Sequence, residues 1–129
     1  MKPRYIQYLF IKENIHSAIS GMFKNKERTA FINGVVISGA VYSNSPEGLA
    51  RAIGFEAEKV TGFSAGICAG IVLPYLLDYK LANVKSEVRG ELLLPLAGID
   101  KYCSVPEKDR PKAGVDALYE LIESLERII

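Results

Sequence analysis

Apolar residues recur along the chain at intervals of three and four positions, and this spacing predicts an all-α protein. A clear apolar stripe indicates a first helix from about Tyr5 to Met22, and another indicates a last helix that begins at Pro111. Four more helices are predicted between them, with these approximate bounds: Glu27–Ser43, Pro46–Lys59, Ala65–Lys80 and Asn83–Leu96. We therefore expect residues 1–129 to form a single helical domain, a bundle of five to six main helices.

Capping and helix-breaking residues support these bounds. Ser45 precedes Pro46, so it can cap the third helix while the proline occupies the first helical position. Ser64 can cap the fourth helix in the same way. Pro74 lies inside that fourth helix, where it removes a backbone hydrogen bond, and we expect a kink near Val72 or Leu73. Residues 104–110 are predicted to form a charged loop.

Two stretches, 29–46 and 60–77, contain no charged residue, so membrane spans have to be weighed. Both stretches contain polar or helix-disturbing residues such as Asn33 and Pro74, and this favours helices buried within a bundle over membrane spans. The second helix is apolar nearly all round and is expected to be central. Gly66 and Gly70 are four positions apart, and we expect them to lie where the fourth helix crosses a neighbour.

Composition adds few constraints. The chain is 49% hydrophobic with a net charge of +1, which argues against disorder and against a nucleic-acid partner. Its start lacks the pattern of a secretory signal, so a cytoplasmic location is expected. Cys68 and Cys103 are far apart in sequence and have no neighbouring ligand residues, so they are interpreted as free thiols.

Two tracts carry a family resemblance. Ser38-Gly39-Ala40-Val41-Tyr42-Ser43-Asn44 and the segment from Gly62 to Lys80, in this order and spacing, resemble the C-terminal helical domain of the iron-containing alcohol dehydrogenase family, within the dehydroquinate synthase-like superfamily. The resemblance is best over 28–80 and weaker over 5–26 and 81–125. It implies a dehydroquinate synthase-like α-domain. The family's second domain, which binds NAD or NADP, has no counterpart in this sequence.

The resemblance also implies where metal ligands would fall. The family's Asp and His would lie before residue 1, and its two further histidines fall at about Arg51 and at Ala65. A guanidinium and a methyl group cannot coordinate a cation, so we expect no metal and no cofactor. His16 is the only histidine and is interpreted as a partly exposed helical residue. Cys68 is interpreted as a small buried apolar residue, so no catalytic residue is predicted.

Three hypotheses follow. The leading one is a stand-alone, non-catalytic helical domain that binds a small ligand or another protein. The second is the helical subunit of a split dehydrogenase whose nucleotide-binding domain is a separate chain. The third is a structural homo-oligomer, because a domain without its ancestral partner domain should expose an apolar face. A neighbouring gene for an isolated dinucleotide-binding domain would favour the second.

One ligand-binding site is predicted, at Arg51, Ser64, Ala65 and Gly66. If the ancestral cleft is retained, Arg51 lies near the former metal position and Ala65 lies opposite. A guanidinium can hold a carboxylate or phosphate with two parallel hydrogen bonds, and the helix start at Ala65 and Gly66 can supply further N–H donors. We therefore expect a small anionic ligand. The alternative is that Arg51 is a surface residue that pairs with Glu47.

Overall fold

A computed structural model of the chain describes residues 6–21, 24–43, 48–83 and 88–127. Within these ranges every regular element is helical, which confirms the all-α prediction. The α-helices are α1 (Ile6–Ser20), α2 (Asn25–Ser43), α3 (Leu49–Thr61), α4 (Ala65–Asn83), α5 (Leu93–Ala97), α6 (Ile99–Ser104) and α7 (Arg110–Glu126). Two 3₁₀ turns, Gly90–Leu92 and Glu107–Asp109, precede α5 and α7. The predicted cap at Ser45 and the start at Pro46 lie outside the described residues.

The helices belong to two compact units. Unit 1 consists of Met1–Asn44 and Gly90–Ile129, and unit 2 consists of Ser45–Arg89. In unit 1, α1 packs against α2 and α5, and α7 packs against α5 and both 3₁₀ turns. Leu93 of α5 and Val115 of α7 are fully buried. Gly114 lets these elements approach closely, since a Cβ there would lie 3.3 Å from the Leu93 nitrogen.

Arg110, the first residue of α7, holds the preceding segment in place. Its Nε donates to the carbonyl oxygens of Tyr102 and Val105, both at 3.1 Å. Its guanidinium also lies over the Tyr102 ring, 4.1 Å from the centroid. A charged loop was predicted over residues 104–110, and the structure shows a 3₁₀ turn followed directly by α7, with Pro111 in the first turn of that helix.

Replacing Arg110 with alanine should destabilise unit 1 by about 1–3 kcal/mol, because two half-buried carbonyl groups lose their charged donor. Arg110→Lys should restore only part of the loss, since an ammonium lacks the planar geometry of a guanidinium. Urea unfolding of the three proteins measures the difference. A urea unfolding curve for Arg110→Ala that superimposes on that of the wild type would contradict this role.

In unit 2, α3 and α4 pack against each other. Gly62 ends α3 with a positive φ of 75°, which glycine adopts without strain, and its N–H donates to the Glu58 carbonyl at 2.9 Å. The Ile67 N–H donates to Ser64 Oγ at 3.4 Å, so the predicted cap of α4 is confirmed. Pro74 lies inside α4, as predicted.

The predicted helix over Asn83–Leu96 is wrong. Asn83 is the last residue of α4, and the next described helix, α5, begins only at Leu93 after a 3₁₀ turn. Gly90 opens that turn at a point of close approach, where a Cβ would lie 2.8 Å from the Cβ of Arg110. Packing against the start of α7 therefore decides the backbone here, and helical spacing alone could not reveal it.

The central position predicted for the second helix is also wrong. Gly34 is buried in α2, but the side chains of Ile32, Val35 and Val36 are 48%, 49% and 65% exposed. The helix packs against α1 along a strip that includes only part of its circumference. Apolar residues are common on protein surfaces, so a helix with apolar residues on all sides does not need to be packed against other helices on all sides.

Candidate functional site

The four predicted site residues all lie in unit 2. Arg51 is in the first turn of α3, and Ser64, Ala65 and Gly66 form the start of α4. The helix pair brings Ala65 beside Gly54, one turn along α3 from Arg51, because a Cβ on Gly54 would lie 2.5 Å from the Ala65 carbonyl oxygen. The guanidinium of Arg51 lies over the Phe55 ring, 5.1 Å from its centroid. Arg51 thus already has an aromatic partner on its own helix.

The start of α4 retains one feature of an anion site. Ser64 Oγ accepts a hydrogen bond from the Ile67 N–H, so this hydroxyl oxygen already caps α4. Gly66 is exposed, and a Cβ there would meet nothing within 4 Å, so a ligand can approach the backbone. The electrostatics of a helix start favour an anion here. The anion site at Arg51, Ser64, Ala65 and Gly66 stays a prediction.

Thermal-shift screening tests that anion site. Phosphate and small organic acids should raise the melting temperature of the wild type by a few degrees at millimolar concentration, because binding to the folded state stabilises it. Arg51→Ala should lose this response, while the matched variant Lys59→Ala, which removes a cation paired with Glu56 at 2.6 Å elsewhere on α3, should keep it. An unchanged response in Arg51→Ala would show that Arg51 holds no anion.

The residues at the carried-over metal positions do not fit a metal ion. Arg51 and Ala65 offer no lone pair to a cation. Among the described residues, no three side chains of His, Cys, Asp or Glu lie close enough together to hold a metal. Cys68 is buried and Cys103 is exposed, and both are free thiols, as the sequence analysis predicted.

The predicted crossing at Gly66 and Gly70 is wrong. A Cβ at either position would meet nothing within 4 Å, so no helix within the described ranges approaches them closely. The close approach occurs at Gly54 of α3, where a Cβ would lie 3.0 Å from both the nitrogen and the Cβ of Ala69. Ala65 and Ala69 of α4 therefore face α3, as does Cys68, whose Sγ lies 3.7 Å from Thr61 Oγ1. Gly66 and Gly70 lie on an exposed side of α4.

α4 also carries a row of large, exposed apolar side chains, which we call the α4 ridge: Ile67, Ile71, Tyr75 and Tyr79. They recur every fourth residue, so they follow one another along the helix surface. Each is between 55% and 66% exposed. Within the described residues α4 is also the one helix long and apolar enough to cross a membrane by length and composition, with a mean hydropathy of 1.3.

A concave feature that the sequence did not reveal lies within unit 1. We call it the unit 1 groove; its volume is about 550 Å³. Lys12 and His16 come from α1, Lys101 from α6, and Glu120 and Ser124 from α7. Each pair on one helix is four residues apart, so both members share a face. That spacing was the only signal in the sequence, and it did not show that the faces meet.

His16 is fixed by a hydrogen bond across the unit 1 groove. Its Nε2 lies 2.9 Å from Ser124 Oγ, and Ser124 Oγ donates to the Leu121 carbonyl at 2.7 Å. A hydroxyl has only one proton to donate, and Ser124 donates it to the Leu121 carbonyl oxygen. In the bond to His16 the Ser124 oxygen is therefore the acceptor, and the Nε2–H of His16 is the donor. The sequence interpretation of His16 as a partly exposed helical residue is correct, but it missed this partner.

Comparisons with protein-family models, with curated proteins and with solved structures found no match for this chain. The resemblance to the iron-containing alcohol dehydrogenase family therefore rests on the two sequence tracts alone and stays a prediction.

Proposed function

We propose that this chain is a non-catalytic helical module, derived from the helical domain of a metal-dependent alcohol dehydrogenase, that functions by pairing with a second copy of itself through the α4 ridge. The resemblance of the two sequence tracts supports the derivation. The exposed ridge supports the pairing. Small-anion binding at Arg51 would be a second property of the same module.

The single observation that carries this proposal is the exposure of the α4 ridge. Four large side chains, each more than half exposed, present on the order of 500 Å² of mostly apolar surface. The largest apolar patch on a typical monomer is about 300–600 Å² and is often functional, so a patch of this size marks a candidate contact surface. A standard interface buries about 800 Å² on each partner, so the ridge supplies more than half of what a stable pair needs.

The charge pattern favours a second copy as the partner. None of the four ridge side chains is charged. Of the two charged residues of α4, Lys80 lies on another side of the helix, and Asp78 follows Ile71 by seven positions, so it lies on the same face near the end of the ridge. Two copies related by a two-fold axis place the same surface on both sides of the contact. The four ridge side chains then cover each other without bringing a charge of their own into the contact.

The chemistry of the side chains supports a non-catalytic role. The nearest approach to a nucleophile–base pair is Ser124 with His16, but the Ser124 proton is donated to the Leu121 carbonyl. A nucleophilic serine must instead give its proton to the imidazole. The split-dehydrogenase hypothesis would require a partner chain to supply both the nucleotide site and the metal ligands that Arg51 and Ala65 cannot provide.

Light scattering tests the pairing, and co-sedimentation with lipid vesicles tests whether the α4 ridge binds a membrane surface instead. We expect a mass near twice 14.2 kDa at micromolar concentration, and no co-sedimentation with neutral phosphatidylcholine vesicles. A monomer that stays in solution would contradict the proposal. A protein that sediments with the vesicles would assign the α4 ridge to a membrane surface instead, and would contradict it equally.

A further inference from the structure

We propose that the unit 1 groove is a binding site for a small organic carboxylate with an apolar body. This proposal is independent of pairing through the α4 ridge, since α4 belongs to unit 2 and the groove is formed by unit 1 alone. It is also distinct from the anion site predicted at Arg51. It rests on a groove of suitable size, an apolar floor and two lysines that have no ion-pair partner among the described residues.

Size and lining suit a small organic molecule. A volume of about 550 Å³ is within the range of small-molecule sites in proteins. The floor is apolar and comes from α5 and α7, through Leu96, Ala97, Ala117 and Leu121. An adjoining cavity of about 190 Å³ shares Ala97 and Ala117 with the groove and is also lined by the charged residues Lys101, Asp116 and Glu120. The apolar floor favours a ligand with a hydrocarbon or aromatic body.

The charges at the edge of the groove favour an anionic head. Lys12 and Lys101 line the same cavity from two helices. In the described part of the chain neither ammonium has an ion-pair partner within 4.0 Å. Lys12 is half-buried as a residue, and Lys101 is exposed. A ligand carboxylate bound in the groove would accept hydrogen bonds from these ammonium groups.

Glu120 sets the polarity of the site. It lines both cavities, and within the described residues its carboxylate has no ion-pair partner either. Two lysines and one glutamate line the groove, and Asp116 of the adjoining cavity is paired with Lys112 at 2.8 Å, so these groups leave the groove with a net positive charge. Glu120 therefore opposes a carboxylate ligand at longer range, while Lys12 and Lys101 attract it. Removing the charge of either lysine should therefore weaken carboxylate binding, and removing the charge of Glu120 should strengthen it.

His16 provides a built-in reporter. It is the only histidine in the chain, it lines the groove, and its ring is held by Ser124. Because there is no other histidine, the NMR signals of the histidine ring protons belong to His16. Benzoate, benzylamine and benzyl alcohol share one apolar ring and differ in the charge of the head. They are therefore a matched set of probes for the full-length protein.

Benzoate should shift the His16 ring signals saturably, while benzylamine and benzyl alcohol should shift them at least tenfold more weakly at equal concentration, as expected when a charged contact is lost. Lys12→Gln and Lys101→Gln should each weaken benzoate binding by roughly threefold to tenfold. The control Lys108→Gln removes an exposed cation outside the groove and should leave binding unchanged. Glu120→Gln should tighten binding by roughly twofold to fivefold, because a like charge is removed.

Three results would overturn the proposal. The first is the absence of any saturable benzoate shift in a protein whose circular dichroism shows it folded. The second is equal binding of the three probes, which would mean an apolar surface without selection for an anion. The third is weaker benzoate binding in Glu120→Gln, which would mean that Glu120 contacts the ligand. If both lysine variants unfold, the salt dependence of benzoate binding to the wild type is measured instead. Benzoate binding that does not weaken as the salt concentration rises would contradict the proposal.

Discussion

Replacing Gly54 with alanine is expected to destabilise unit 2 by about 2 kcal/mol or more, despite the higher helix propensity of alanine. The added methyl carbon would lie 2.5 Å from the Ala65 carbonyl oxygen and 3.0 Å from the backbone nitrogen of Ala69. These are backbone atoms, so a side-chain rotation cannot relieve the overlap. The two helices must move apart, and the α3–α4 contact on which unit 2 is built must weaken.

Gly70→Ala is the matched control, since it makes the same chemical change in the partner helix. Nothing lies within 4 Å of a Cβ at that position, so alanine should stabilise α4 by about 0.5–1 kcal/mol through its helix propensity. Urea unfolding at one protein concentration compares both variants with the wild type. If Gly54→Ala is as stable as Gly70→Ala, the close approach at Gly54 does not exist.

Replacing Ile71 with lysine should abolish self-association while the fold is kept. Ile71 lies in the middle of the α4 ridge and is 57% exposed, so the variant leaves the buried residues of the chain untouched. Lysine is also at least as good a helix former as isoleucine. In the pair, however, each lysine would be desolvated against a neutral surface. A loss of about 3 kcal/mol corresponds to a dissociation constant roughly a hundredfold higher.

Val60→Lys is the control for this prediction. Val60 is 88% exposed on α3 and is not part of the α4 ridge, so the same added charge should leave association unchanged. Sedimentation velocity over a concentration series gives both dissociation constants. Equal weakening by the two variants would mean that net charge controls association. No weakening by either would mean that the contact lies on another surface.

The helices predicted most accurately are those with local signals. Ser64 and Pro74 predict the start and the interior of α4, because a cap and a proline act on the backbone within one turn. The segment before α5 was predicted less well. There the backbone path depends on Gly90 meeting Arg110 across 20 positions of sequence, and spacing within a helix contains no information about such a contact.

The glycines show the same limit for the packing of unit 2. Gly66 and Gly70 have the spacing of a helix-crossing motif, whereas Gly54 is a single glycine in an ordinary amphipathic helix. Spacing shows which residues share a face, but it does not show which face has a neighbour. The unit 1 groove was missed for a related reason. His16 and Ser124 are 108 positions apart, and neither lies in a recognisable motif.

Native mass spectrometry of the wild type beside Ile71→Lys tests the central claim most directly, because it reports association and retained ligands together. The account predicts a wild-type dimer of two 14.2 kDa chains, without metal or nucleotide mass, and a monomeric Ile71→Lys. A wild-type monomer would contradict pairing through the α4 ridge. A dimer that keeps one metal ion or one dinucleotide on each chain would contradict the non-catalytic role.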